Sequence, residues 1–154
     1  MRITLEALLS SPQAAIAPRL LTVLNGYASR QDFTLTADLA ASGASLSVPV
    51  IVEVGDHRTR TATVVPFELR ARRRADWFPK FLGVARIQDG GPLESVLQLA
   101  GVYEVPLGAL GGVVDRVVLG GAAQRSLRVF LERLREDVLE EVRRAEFDVR
   151  RQAG

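Results

Sequence analysis

From Asp32 to Val105, apolar side chains return at every second residue through five consecutive segments, a period that belongs to strands and excludes an all-helical chain. Phe33, Leu35, Ala37 and Leu39 form the first row, and Leu46, Val48, Val50, Val52 and Val54 the second. Val65, Phe67, Leu69 and Ala71 make the third; Phe81, Gly83, Ala85 and Ile87 the fourth; Leu97, Leu99, Gly101, Tyr103 and Val105 the fifth. Turn residues separate the rows. Gly55-Asp56 predicts a hairpin turn, and the Asp-Gly-Gly-Pro run within Gln88 to Pro92 a tight connection. Short links between neighbouring strands imply an antiparallel meander.

Other patterns flank the meander. Arg2 to Leu8 alternates, with Ile3, Leu5 and Ala7 on one side, and predicts a half-buried strand. Ser11 before Pro12 is a helix start, with Ser as N-cap and Pro in the first helical position. Ile16, Leu20, Val23 and Leu24 carry that helix to Asn25-Gly26, with a bend or restart at Pro18. From about Leu110 the helical period returns, and Val113, Val117, Leu127, Leu131, Leu134, Val138 and Val142 form one stripe. Glu132, Arg135, Glu136, Glu140 and Arg144 occupy the rest of that surface, spaced to pair as Glu140 with Arg144 and Glu132 with Arg128 or Arg135. The stripe must lie on something apolar, and only the inner face of the sheet is large enough. The expected fold class is α+β: a curved antiparallel sheet wrapped around a long C-terminal helix. One domain spans 1–154, with a C-terminal extension of the last helix over about 143–154.

The order strand, helix, antiparallel strands, long helix is the helix-grip topology. The run Trp77-Phe-Pro-Lys-Phe-Leu-Gly, the run Leu97 to Gly111 with its Pro-Leu-Gly-x-Leu-Gly step, and Val114-Asp-Arg-Val-Val-Leu-Gly resemble the SRPBCC superfamily of START, polyketide-cyclase and Bet v 1-like proteins, among them small bacterial members. The likeness covers about Val48 to Leu139; the first 45 residues are read from pattern alone. It implies a cavity between sheet and last helix that takes an apolar or amphipathic small molecule, and it implies no reaction.

Composition removes several function classes. Nineteen arginines and one lysine are nearly balanced by 18 acids, so the net charge is +2 and no large basic excess marks a nucleic-acid binder. The chain has no cysteine, hence no disulfide framework and no thiol nucleophile. Its single histidine, His57, rules out a multi-histidine metal site. No cofactor is implied. Glu6 interrupts the only apolar stretch near the start, which does not resemble a signal peptide, and no later run approaches a membrane span. The expected location is the cytoplasm.

The remaining motifs are weak as sites. Gly108 to Gly112 lies between strand and helix, but its spacing is not that of a dinucleotide loop, and no strand follows to complete a βαβ unit. His57 beside Asp56 reads as a solvated turn residue. Arg70, Arg72, Arg73 and Arg74 read as a solvated strand end, the alternative being that Arg73 or Arg74 attracts the acidic head of a ligand at the rim. Tyr103 is the only hydroxyl on its inward row and needs a partner, either within the core or on a ligand. Asp115 is either its partner across the cavity or an acid suited to the helix dipole.

The leading expectation is therefore a binding module whose ligand-lining residues are Phe67, Phe81, Gly83, Ala85, Leu99, Gly101, Tyr103, Asp115, Val117 and Gly120. In it, the small residues Gly83, Ala85 and Gly101 leave room beneath the helix opposite Val117 and Gly120. The inward rows carry no carboxylate, histidine or lysine, so general acid/base catalysis is poorly supplied. A cyclase or dehydratase acting on an aromatic or polyketide-type substrate through Tyr103 and Asp115 is the enzymatic alternative. A third reading uses Arg143 to Arg150, with Phe147 and Val149, as a docking element for another protein or for a homodimer.

Overall fold

The computed structural model describes residues 1–39, 44–56, 61–73, 80–104 and 116–154; side chains at 36–39, 44–46, 116–120 and 122 are outside the description. Six strands form one antiparallel sheet in the order β1-β6-β5-β4-β3-β2. They are β1 (Arg2–Leu9), β2 (Thr34–Leu39), β3 (Ala44–Val54), β4 (Val64–Ala71), β5 (Lys80–Asp89) and β6 (Ser95–Glu104). Helix α1 (Gln13–Ser29) joins the edge strand β1 to the opposite edge strand β2, and α2 (Arg116–Gln152) follows β6. This is the expected helix-grip arrangement.

Alternation along the strands becomes burial on one face of the sheet. Ile3, Leu5, Ala7 and Leu9 of β1 are buried, as are Val65, Phe67, Leu69 and Ala71 of β4. Of the first row, Phe33 and Leu35 are buried; in β3, Val50 and Val52 are buried and Val48 and Val54 pack against the core. Helix α2 runs nearest the edge strands β1 and β2 and packs on α1. The sheet thus curls so that its two edges close on the helix, while its centre stands further off and is bridged by large side chains. Leu127, Phe130, Leu131, Leu134 and Val138 lie wholly in the core, and Val142 is the last buried residue of the stripe.

Several local expectations are corrected. The N-cap of α1 is Pro12, with no side-chain cap; its carbonyl accepts from Ala15 and Ile16, while the carbonyl of Ser11 is taken by the buried Ser95 hydroxyl at 2.8 Å. The helix runs unbroken through Pro18 and continues past Asn25-Gly26 to Ser29, because Tyr27 has a buried seat. No turn forms at Gly55, whose N–H still donates to Pro66 at 2.7 Å and prolongs the β3–β4 ladder. The tight β5–β6 connection is as expected. Gly91 takes φ 126°, which favours glycine, and its N–H donates to Asp89 Oδ1 at 3.0 Å.

Candidate functional site

The inner face of the sheet meets the helices along a line of aromatic rings. Tyr103 on β6 lies 6.4 Å from Phe81 on β5, and Phe81 lies 5.5 Å from Phe67 on β4. Phe67 stacks on Phe130 of α2 at 5.5 Å. The line continues from Phe130 to Phe33 at 6.2 Å, and from Phe33 to Tyr27 of α1 at 4.6 Å. Offset and edge-on rings attract beyond the area they bury. A phenol stands at each end of this core, and the two ends differ.

At one end the Tyr27 hydroxyl donates to Oδ2 of Asp137 on α2. The Arg133 guanidinium stands 4.5 Å from the centre of the Phe33 ring and 5.9 Å from that of Tyr27. Burial, and then the hydrogen bond and charge of Asp137, hold the Tyr27 phenol far above its usual range, with Arg133 and Arg30 opposing. The polar groups here are spent on joining α1 to α2.

At the other end Tyr103 is fastened by its backbone alone: its N–H donates to the Met1 carbonyl at 2.8 Å, and the terminal ammonium donates to its carbonyl at 3.0 Å. Its ring packs against the core, and its hydroxyl has no hydrogen bond among the described residues. Burial alone pushes its pKa up to about 12. At neutral pH it is a protonated donor without an acceptor among the described residues.

The predicted lining residues fall into three groups. Phe67, Phe81, Ala85 and Leu99 are buried in the core. Gly83 and Gly101 sit directly opposite each other on β5 and β6, but they do not open a gap. A Cβ on Gly83 would stand 2.5 Å from the Phe81 ring, and one on Gly101 would stand 2.7 Å from it, so that ring already covers both glycines. Asp115 lies outside the described residues, as do His57, Arg74, Val105 and the Gly108 to Gly112 turn; Val117 and Gly120 fall in the first turns of α2, where only the backbone is described.

Of the basic run, Arg70 pairs with Glu53 and with Glu68 on the outer face, and Arg73 is exposed. On α2, Glu140 pairs with Arg144 at 3.3 Å, and Glu132 pairs with Arg135 at 3.8 Å. Sequence reasoning missed Phe130 and Tyr27. Phe130 is three residues from Leu127 and four from Leu134, so the helical spacing carried its signal.

A hollow of about 480 Å³ lies between Ala14, Ala15, Pro18 and Arg19 of α1 and the last turns of α2, lined there by Val142, Ala145, Glu146, Val149 and Arg150. Val149 of this lining and the neighbouring Phe147 are 66% and 59% exposed, so α2 outruns the surface that covers its stripe. Among the described residues no cluster of metal-ligating side chains occurs, and no helix is long and apolar enough to cross a membrane.

Solved structures share this architecture. The chain is similar to a conserved protein from Geobacillus kaustophilus (TM-score 0.57, 14% identity), covering 91% of this chain and 96% of that one. It is similar to Ara h 8.0201 (TM-score 0.53, 9% identity), covering 91% and 98% respectively. A third likeness is to a protein from Thermus thermophilus (TM-score 0.50, 17% identity), covering 92% and 99%. No family model matches the chain, and no curated protein matches it in sequence. The six-stranded curled sheet closed by a long C-terminal helix is the helix-grip fold of START and Bet v 1-like proteins.

Proposed function

We propose that the protein binds an apolar or amphipathic small molecule between the sheet and α2, without covalent chemistry. The apolar part of the ligand lies along Phe81, Phe67 and Leu99, with Val117 and Gly120 on the helix side, and an acceptor on the ligand takes the hydrogen bond of Tyr103. One observation carries the reading: a half-buried phenol, protonated at neutral pH, stands at the end of an aromatic core with no acceptor of its own among the described residues. A donor in that position favours a partner brought from outside. The sequence resemblance supports the same reading, since it implies a cavity in this place.

Native mass spectrometry of the freshly purified protein is the direct test, with a co-purifying small molecule as the expected result. Nile red, a neutral apolar dye with a carbonyl acceptor, serves as the probe in solution. Tyr103→Phe should weaken its binding about fivefold, the ~1 kcal/mol net worth of one hydrogen bond. A protein that carries nothing and leaves the dye dark ends the proposal.

A second reading rests on the end of α2: two copies of the chain pair there as a homodimer. Glu146 and Arg150 stand four residues apart on the hollow's edge, with no ion pair among the described residues, and an antiparallel helix pair would set each against the other's opposite charge. Glu146→Arg should then give a monomer, and adding Arg150→Glu should restore the dimer, as read by light scattering. A monomeric wild-type protein at high concentration removes this reading.

A further inference from the structure

We propose that the polar end of the ligand is an anion, a carboxylate or a phosphate, received by the guanidinium of Arg72 at the rim where β4 ends. This rests on the binding reading above and names the chemical class of its ligand.

Arg72 follows the last residue of β4, and its backbone N–H donates to Pro49 at 2.9 Å. Its side chain crosses to the C-terminus of α1, where Nη2 donates to the Arg30 carbonyl at 3.4 Å, the long limit of a hydrogen bond. Nε is buried with no hydrogen-bond partner, and no other side-chain nitrogen or oxygen among the described residues is left so. No carboxylate among the described residues forms an ion pair with Arg72. Arg70, two residues earlier on the same strand, shows the ordinary arrangement, with Glu53 and Glu68 both on its guanidinium.

A buried N–H on a permanent cation is costly to leave without an acceptor, and such a group points to a water or an ion that completes it. An anion is the better complement, because it satisfies the donor and the charge together. The planar guanidinium fork suits a carboxylate or phosphate oxygen. Arg30 and Arg73, both exposed, add positive potential at this corner, and the exposed Asp32 makes no ion pair with Arg72. The long contact to Arg30 is the bond that yields when an anion oxygen enters.

The ladder sets this cation on the rim shared with Tyr103. Leu69 stands opposite Phe81, and Phe81 opposite Tyr103, so Arg72 lies just past the same end of the sheet. A molecule with its tail on the inner face therefore presents its head to this rim.

The test titrates dodecanoate, dodecanol and inorganic phosphate into the wild-type protein and Arg72→Gln, by calorimetry and thermal melting. Wild type should bind dodecanoate at least tenfold tighter than dodecanol. Arg72→Gln should erase the preference and leave dodecanol binding unchanged, with an unliganded melting temperature equal to or above wild type. Should the variant fail to fold, Arg72→Lys keeps a charge without the fork, and it should lose most of the preference. Equal binding of acid and alcohol by both proteins overturns the anion site and leaves the binding reading standing. Binding of neither overturns both. Phosphate bound as tightly as dodecanoate makes a free anion the ligand and overturns the amphipathic proposal. A lower unliganded melting temperature for Arg72→Gln, with the preference intact, makes Arg72 a strut for α1.

Discussion

The two tyrosines occupy opposite ends of one aromatic core and have opposite surroundings. Tyr27 reaches Asp137 across the gap between α1 and α2, with Arg133 over the neighbouring rings, so its hydroxyl has its acceptor within the chain. Tyr103 is fixed by its backbone to Met1, and its hydroxyl faces no acceptor among the described residues. Burial raises the pKa of both phenols, but only Tyr27 has a charged partner that adds to the shift. The contrast teaches that a hydroxyl at the edge of a core is informative through the partners it has. The satisfied phenol accounts for itself as a strut, and the one without an acceptor among the described residues is the group to which the proposed ligand would bond.

Phe130 joins the two ends, with Phe67 on one side and Phe33 and Tyr27 on the other, and it is wholly buried. Phe130→Ala is expected to cost about 3–5 kcal/mol, the largest effect of any substitution along the line. A urea titration that shows less than half of this would mean that the two ends are not coupled through α2. Gly101→Ala comes next. The added Cβ would stand 2.3 Å from the Leu82 carbonyl oxygen and 2.6 Å from Gly83 Cα, so backbone must move on β5 and the Phe81 ring must leave its seat. The expected cost is about 1–3 kcal/mol, and an unchanged urea midpoint would contradict the close approach of β5 and β6.

The tyrosines themselves sharpen the contrast. Tyr27→Phe leaves the Asp137 carboxylate without its donor, and should cost about 1.5–3 kcal/mol, the range for a hydrogen bond to a charged group. Tyr103→Phe removes a hydroxyl with no partner among the described residues, and should stay within about 0.5 kcal/mol of wild type. Equal losses for the two variants would erase the distinction between a strut and a free donor.

Much of this arrangement is legible in the sequence, where local pattern and burial are the same thing. The rows of β1 and β4 are buried residue for residue, because alternation along a strand directly selects a face. The stripe of α2 from Leu127 to Val142 is legible for the same reason. Rotamers and tertiary partners are not written in the pattern. Gly83 and Gly101 read as empty space, yet the ring that fills it comes from Phe81, two residues along the same strand from Gly83. Gly26 reads as a helix end, and the helix continues because Tyr27 finds a seat that only the folded chain provides. Arg70 and Arg72 look alike on the strand, and only side-chain geometry separates the paired cation from the one with a buried, unpartnered nitrogen.

The last expected effect is on the alkaline side of the stability curve. Both phenols hold their protons more tightly in the folded chain than in the unfolded one, where the ordinary value is 10.0. A raised folded pKa gives a contribution that is complete below the unfolded value and is lost as pH climbs towards the folded one. For Tyr103 that window runs from 10.0 to about 12, and for Tyr27 it opens at the same pH and extends higher. With one lysine in the chain and arginines that stay charged, few other side chains release protons there. Wild-type stability should therefore begin to fall near pH 10, and Tyr103→Phe should flatten the first part of that fall without changing the neutral value. A Tyr103→Phe curve as steep as wild type would mean that this phenol already meets water in the folded state, and the contrast between the two ends of the core would then rest on Tyr27 alone.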